Sequence, residues 1–250
     1  MGKLDGKIAL VTGASRGIGA ATAKLLAQNG AQVAVNYFQN EKAANKVVDV
    51  ITKANGTAIA LQADVRDREQ VNGMIEEIET RLGTIDILIL NAGAPVPWKP
   101  VAELTIEEFE GKVFDEVRGF FYPAKAVMKG MIERREGCIV GISSGLSRYP
   151  GYGFSAHTTA KSAVDGMMKA MAFELGQHGI RVNVVSPGFT VTDATSWVPK
   201  EQVEAIARTT PLRRVGTPED IAGAVLMMVS DETRFVQGAY LPVSGGVLML

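Results

Sequence analysis

The chain alternates short apolar runs with longer stretches in which apolar residues recur every three or four positions. Runs of aliphatic and β-branched residues at 8–11, 33–35, 58–61, 85–90, 137–142, 180–185 and 239–243 read as strands covered on both faces. Between them, 17–29, 40–55, 68–82, 105–134, 155–178 and 218–230 carry helical periodicity. The punctuation agrees: Gly30, Gly56, Gly83 and Gly179 each follow a helix, and Thr217-Pro218 opens the last one. This alternation predicts an α/β fold, a doubly wound parallel sheet with helices on both faces. No repeat, low-complexity tract or linker divides the chain, so 1–250 reads as one domain. The least regular stretch, 188–212, is rich in Thr, Pro and Trp and reads as a substrate lid at the carboxyl edge of the sheet.

Composition narrows the function classes. With 250 residues, 46% of them hydrophobic and a net charge of −1, the chain can build a full core. Acids and bases are interspersed, which argues against a nucleic-acid or anionic-lipid surface but not against a phosphate-bearing small ligand. No apolar run approaches the roughly 20 residues needed to span a bilayer, and the opening residues lack a secretory hydrophobic region, so a cytoplasmic protein is expected. Cys138 is the only cysteine; it sits in an apolar run and reads as a small buried strand residue. No group of His, Cys and acids has metal-ligand spacing.

Chemistry first shows in Thr12-Gly13-Ala14-Ser15-Arg16-Gly17-Ile18-Gly19, between the first strand and the first helix. Gly13 permits a tight turn, and Gly17 and Gly19 let a pyrophosphate approach backbone N–H groups at the helix start. The end of the second strand, where an acid would read the ribose hydroxyls of NAD, is Asn36-Tyr37. With no carboxylate there and Arg16 in the glycine loop to grip a 2′-phosphate, the expected cofactor is NADP(H). Asp64-Val65 would sit beside the adenine, and Asn91-Ala92-Gly93 ends the fourth strand, where a side chain would brace the glycine loop.

These segments, with Ile142-Ser143-Ser144, Lys161, Ser186-Pro187-Gly188 and Ser244-Gly245-Gly246, resemble the short-chain dehydrogenase/reductase family along essentially the whole chain. Within it they look most like bacterial 3-oxoacyl-acyl-carrier-protein reductases. The resemblance implies a Rossmann fold with strand order 3-2-1-4-5-6-7. It implies hydride exchange between a nicotinamide and a carbonyl or acyl-thioester substrate, carried on acyl carrier protein or coenzyme A. It further implies a homotetramer or homodimer built through helices four and five, and adds Pro187, Gly188 and Thr192 to the cofactor contacts. The family's active site is a tetrad of Asn, Ser, Tyr and Lys. Ser144 falls on the serine position and Lys161 on the lysine. The tyrosine position, four residues before the lysine, is His157, and the asparagine position is Glu116.

These two departures set the chemical question. Histidine can donate a proton, but the charge of Lys161 disfavours imidazolium. Glu116 is expected to offset that charge, leaving His157 as proton donor, Ser144 as oxyanion partner and Lys161 as ribose clamp. Two alternatives stand beside this. An enoyl-thioester reductase would use Tyr152, nine residues before Lys161, and a site without its acid would leave an NADP-binding regulatory or scaffold protein. Trp98, Phe154, Trp197 and Met167 are candidate pocket residues, and Arg118 and Arg148 are candidate docking cations for an acyl carrier protein.

Overall fold

A computed structural model describes residues 2–249. Seven strands form one parallel sheet: β1 (Ile8–Val11), β2 (Gln32–Tyr37), β3 (Ala58–Gln62), β4 (Ile87–Leu90), β5 (Gly137–Ile142), β6 (Ile180–Pro187) and β7 (Tyr240–Val243). Their order is β3-β2-β1-β4-β5-β6-β7, as the sequence implied. The reversal of winding falls between β1 and β4, where register pairs Val11 with Ile89. A crevice therefore opens at the carboxyl ends of these two strands.

The helices divide by face. α1 (Gly17–Gln28), α2 (Glu41–Lys53) and α7 (Pro218–Val229) cover one side, burying Leu26, Val47, Ile51 and Val225 against Val11, Val33 and Val140. α3 (Arg68–Arg81), α4 (Ile106–Arg134) and α5 (Ser155–Gly176) cover the other, burying Ile78, Phe120, Met131 and Met168 against Leu10, Leu88 and Ile139. Capping boxes at Thr105–Glu108 and Thr217–Asp220 fix the starts of α4 and α7.

Several element ends, those of β2, β6, α2 and α5 among them, lie one or two residues from where the sequence pattern puts them. The fourth strand begins at Ile87, and Asp86 just before it extends the pairing: its amide donates to the Ile8 carbonyl (2.9 Å), its carbonyl accepts from the Cys138 amide (2.9 Å) and its carboxylate accepts from the Ile8 amide (2.9 Å). The expected irregular stretch 188–212 contains a ten-residue helix, α6 (Lys200–Thr209). It buries no residue fully, which is why its weak apolar stripe is hard to read. Met167 is partly buried against the core on the α3, α4 and α5 side of the sheet. No described helix is long and apolar enough to cross a membrane, and no described cluster of His, Cys and acids is placed to hold a metal.

Candidate active site

The glycine loop is built to be open to an anion. Gly13 and Gly17 adopt positive φ, 61° and 56°. A Cβ on Gly19 would lie 2.5 Å from the Asn91 amide nitrogen and 2.6 Å from the Gly13 carbonyl, so only glycine lets helix and loop close. Asn91 Nδ2 donates to the carbonyls of Thr12 (2.9 Å) and Gly13 (3.1 Å), the brace expected from the end of the fourth strand. Thr12 Oγ1 in turn accepts from the amides of Asn91 and Ala92. The first turn of α1 has no acidic residue and no side-chain cap, and Arg16 precedes it, exposed. Uncapped N–H groups, a positive helix end and a guanidinium form a donor set that fits a diphosphate. Ser15 lies on the same partly exposed loop, whereas Ile18 turns into the upper core.

Around that loop the sequence-derived residues take varied positions. Asn36 is only 2% exposed and both ends of its amide are committed. Its Oδ1 accepts from the Gly13 amide (3.0 Å), and its Nδ2 donates to the Ala63 carbonyl (3.1 Å). It braces the glycine loop from behind. Asp64 is held by Arg66, Nη2 to Oδ2 at 2.7 Å, and this guanidinium lowers its pKa below the usual value. Arg66 also lies 5.4 Å over the Phe38 ring, at the end of β2. Val65 is buried against Gly119 of α4. Gly93 is exposed and Ala92 backs directly onto Gly13. Pro187 ends β6, Gly188 packs on Ser244, and the Thr192 methyl lies over Gly17, so the segment after β6 starts beside the glycine loop.

Two i,i+4 pairs on facing helices make the chemical centre. Lys112 and Glu116 lie on α4; His157 and Lys161 lie on α5. Glu116, 1% exposed, is 2.5 Å from Lys112 Nζ and 2.7 Å from Lys161 Nζ. Lys112 Nζ also donates to the Ala94 carbonyl (2.8 Å), and the Ala94 amide donates back to Glu116 (3.0 Å), pinning the loop after β4. Lys161 Nζ donates to the Ile142 carbonyl (2.8 Å) and lies 4.9 Å over the Phe120 ring. Burial opposes the Glu116 charge, but Lys161 and Lys112 overcome it and hold its pKa down to about 2. Two ammonium groups against one carboxylate leave this cluster with one positive charge. Burial, with Glu116 opposing it, lowers the Lys112 pKa.

Glu116 offsets the charge of Lys161 and shares its carboxylate with Lys112, while its attraction for a charged His157 is outweighed. Burial, then Lys112 and Lys161, push the His157 pKa down to about 3. Its Nδ1 is buried with no hydrogen-bond partner among the described residues, and Phe154 meets the ring edge-on. Burial and the two lysines favour the neutral imidazole over the imidazolium. Tyr152, the alternative tyrosine, is 84% exposed on a glycine-flanked loop, and its carbonyl accepts from Trp98 Nε1 (3.3 Å). Ser144, at the end of β5, accepts from the Leu146 amide (3.3 Å). The Tyr240 hydroxyl, bonded to Ser186 (2.7 Å), holds the Ser144 carbonyl (3.0 Å).

Lys112 is the functional residue that sequence reasoning missed. Its signal was present: a lysine four residues before Glu116, on the side of α4 that turns inward. Tyr240 had no such signal, because its three serine partners come from distant parts of the chain.

A Rossmann sheet with a glycine-loop crevice and a serine–lysine pair at its carboxyl edge defines an oxidoreductase of the dinucleotide-binding class. Residues 13–248 match the family described as enoyl-(acyl carrier protein) reductase. An uncharacterized oxidoreductase of Methylorubrum extorquens is 41% identical over 99% of this chain and all of its own length. The 3-oxoacyl-acyl-carrier-protein reductase FabG of Staphylococcus aureus is 35% identical over 97% of this chain and 98% of its own. A 7α-hydroxysteroid dehydrogenase, solved with NADH and 7-oxo glycochenodeoxycholic acid, superposes with a TM-score of 0.92 at 35% identity, over 97% of this chain and 94% of that one. The chain belongs to the short-chain dehydrogenase/reductase family.

Proposed function

We propose that the chain is an NADP(H)-dependent reductase that delivers hydride to a carbonyl or acyl-thioester-like substrate, 3-oxoacyl reductase-like but with an altered acid–base centre. The observation that carries this is the buried Lys112–Glu116–Lys161 cluster beside His157 and Ser144, next to an anion-ready glycine loop. The NADH-bound steroid dehydrogenase supports a nicotinamide cofactor, and Arg16 with no acid at Asn36-Tyr37 supports the phosphorylated form.

When bound, the reduced nicotinamide would supply hydride at the reacting carbon. Gly13, Ser15, Gly17 and Arg16 would hold its phosphates, Asp64 and Val65 its adenine side, and Lys161 its ribose. Ser144 donates a hydrogen bond to the substrate oxygen. His157, being neutral, donates a hydrogen bond and not a proton; it polarises the carbonyl as charge develops. The positive charge left over in the cluster stabilises the resulting oxyanion, and water supplies the final proton. The family description supports a second reading, reduction of a conjugated C=C, which asks less of a proton donor.

The test is oxidation of NADPH by the full chain with a 3-oxoacyl thioester, a 2-enoyl thioester and simple ketones. NADPH should be preferred to NADH, and Arg16→Ala should remove about tenfold or more of that preference, the worth of one charge-assisted contact. Cofactor binding without turnover on any substrate would leave the regulatory alternative and reject the enzyme. The exposed Phe114 and Phe121 on α4 and Phe173 on α5 support assembly through these helices, as a homodimer or homotetramer.

A further inference from the structure

One row of aromatic rings is left unexplained by the hydride-transfer machinery. Trp197 in the lid stands 4.8 Å from Trp98 in the loop after β4. Trp98 is 6.3 Å from Phe154 at the start of α5, and Phe154 is 6.2 Å from His157. The row thus runs from the lid to the imidazole, and its members come from three separate segments. It is positioned by polar contacts rather than burial. Trp98 Nε1 donates to the Tyr152 carbonyl (3.3 Å), and Trp197 Nε1 to the Ala194 carbonyl (3.0 Å). The Trp98 indole lies so close on Gly153 that a Cβ there would come within 2.6 Å of it. With both indole N–H groups satisfied, the ring surfaces remain, and they are 54% and 52% exposed. Two half-exposed tryptophans held beside a reaction centre are an apolar surface lacking its partner.

We infer that this row binds the ring system of the substrate, and that the substrate is a flat, fused-ring carbonyl compound, a quinone or aryl enone, stacked on Trp98 and Trp197 with its oxygen beside His157. The inference rests on the reductase reading above and narrows its substrate. A flexible acyl chain gains only from burial on these rings, whereas a fused ring gains oriented stacking beyond burial. The two candidate docking arginines each lean on an acid of the α4–α5 helix pair rather than lining the aromatic row. Arg118 pairs with Asp115 (3.8 Å), and Arg148 with Asp165 (3.9 Å) and the Tyr240 ring.

The reaction also suits this centre. The conjugated carbon of the substrate accepts hydride from the reduced nicotinamide, which is oxidised. The C=C pair moves onto oxygen as an enolate, and water returns one proton. That anion is spread over the ring system, so it does not need the strong acid that residue 157 lacks.

The experiment uses the two tryptophans as reporters, since the chain has only these two. Menadione, a methylnaphthoquinone, is titrated into the full chain without cofactor while tryptophan emission is followed. Saturable quenching is expected, with affinity reduced about tenfold in Trp98→Ala and recovered in Trp98→Phe. Linear, unsaturable quenching that is the same in all three proteins would overturn the inference. Menadione and a 3-oxoacyl thioester are then compared as oxidants of NADPH. The expected result is a higher kcat/KM for menadione, with the menadione-to-thioester ratio falling about tenfold in Trp98→Ala. Turnover of the thioester with neither binding nor turnover of menadione would overturn the ring site and leave the reductase reading standing. Saturable binding of menadione with no turnover of either compound would support the ring site and reject the reductase reading.

Discussion

At the residue scale, the decisive feature is charge accounting among Lys112, Glu116, Lys161 and His157. Removing Glu116 would leave two ammonium groups without their carboxylate. Glu116→Gln is therefore expected to destabilise the fold by about 3–5 kcal/mol, the usual cost of breaking a buried pair; urea unfolding measures it. His157 gives a pH signature with a definite sign. Unfolded, its imidazole binds a proton near its ordinary value of 6.5; folded, it does so only at about 3. The depressed value means that its contribution to stability is complete above pH 6.5 and is lost as pH falls through that window. The slope approaches about 1.4 kcal/mol per pH unit. His157→Gln should flatten that part of the stability profile, which denaturation at a series of pH values would show. In turnover, His157→Ala should lower kcat much more than it weakens NADPH binding. The two departures from the family tetrad were visible in the sequence. Their consequence was not, because it depends on Lys112 arriving from one turn earlier on α4 and taking half of Glu116.

At the element scale, the strand–helix alternation carried nearly everything. Continuous apolar runs such as 137–142 admit little besides a doubly covered strand, and glycines marked the helix ends. Elements defined by weaker burial were harder to read. α6 buries nothing completely, and the Asp86 carboxylate adds a bond to the Ile8 amide 78 positions away that no local pattern announces. The glycine loop depends on just such long-range struts. Asn91→Ala removes two hydrogen bonds to the Thr12 and Gly13 carbonyls, each worth about 1 kcal/mol. It should weaken NADPH binding by about tenfold, while a change in the NADPH-to-NADH ratio is not expected because Arg16 is untouched. Fluorescence titration of the cofactor checks both.

For the whole molecule, the carboxyl ends of the parallel strands carry the glycine loop after β1, Ser144 after β5 and the segment after β6, so these parts gather at one end of the sheet. The same packing of α4 on α5 that brings Glu116 to Lys161 leaves Phe114, Phe121 and Phe173 facing outward. Light scattering should find a dimer or tetramer, and Phe173→Glu should shift it toward smaller species. A monomer at micromolar concentration would remove that assembly from the account.

The claim on which the mechanism turns is that the imidazole facing the reacting carbonyl is uncharged. With only two histidines in the chain, the ring resonances of residue 157 can be assigned with a single His178→Gln variant and followed by NMR. Their chemical shifts should stay constant from about pH 8 down to about pH 5, the range in which an unperturbed histidine charges. A titration centred near 6.5 would contradict the account and return His157 to the role of proton donor.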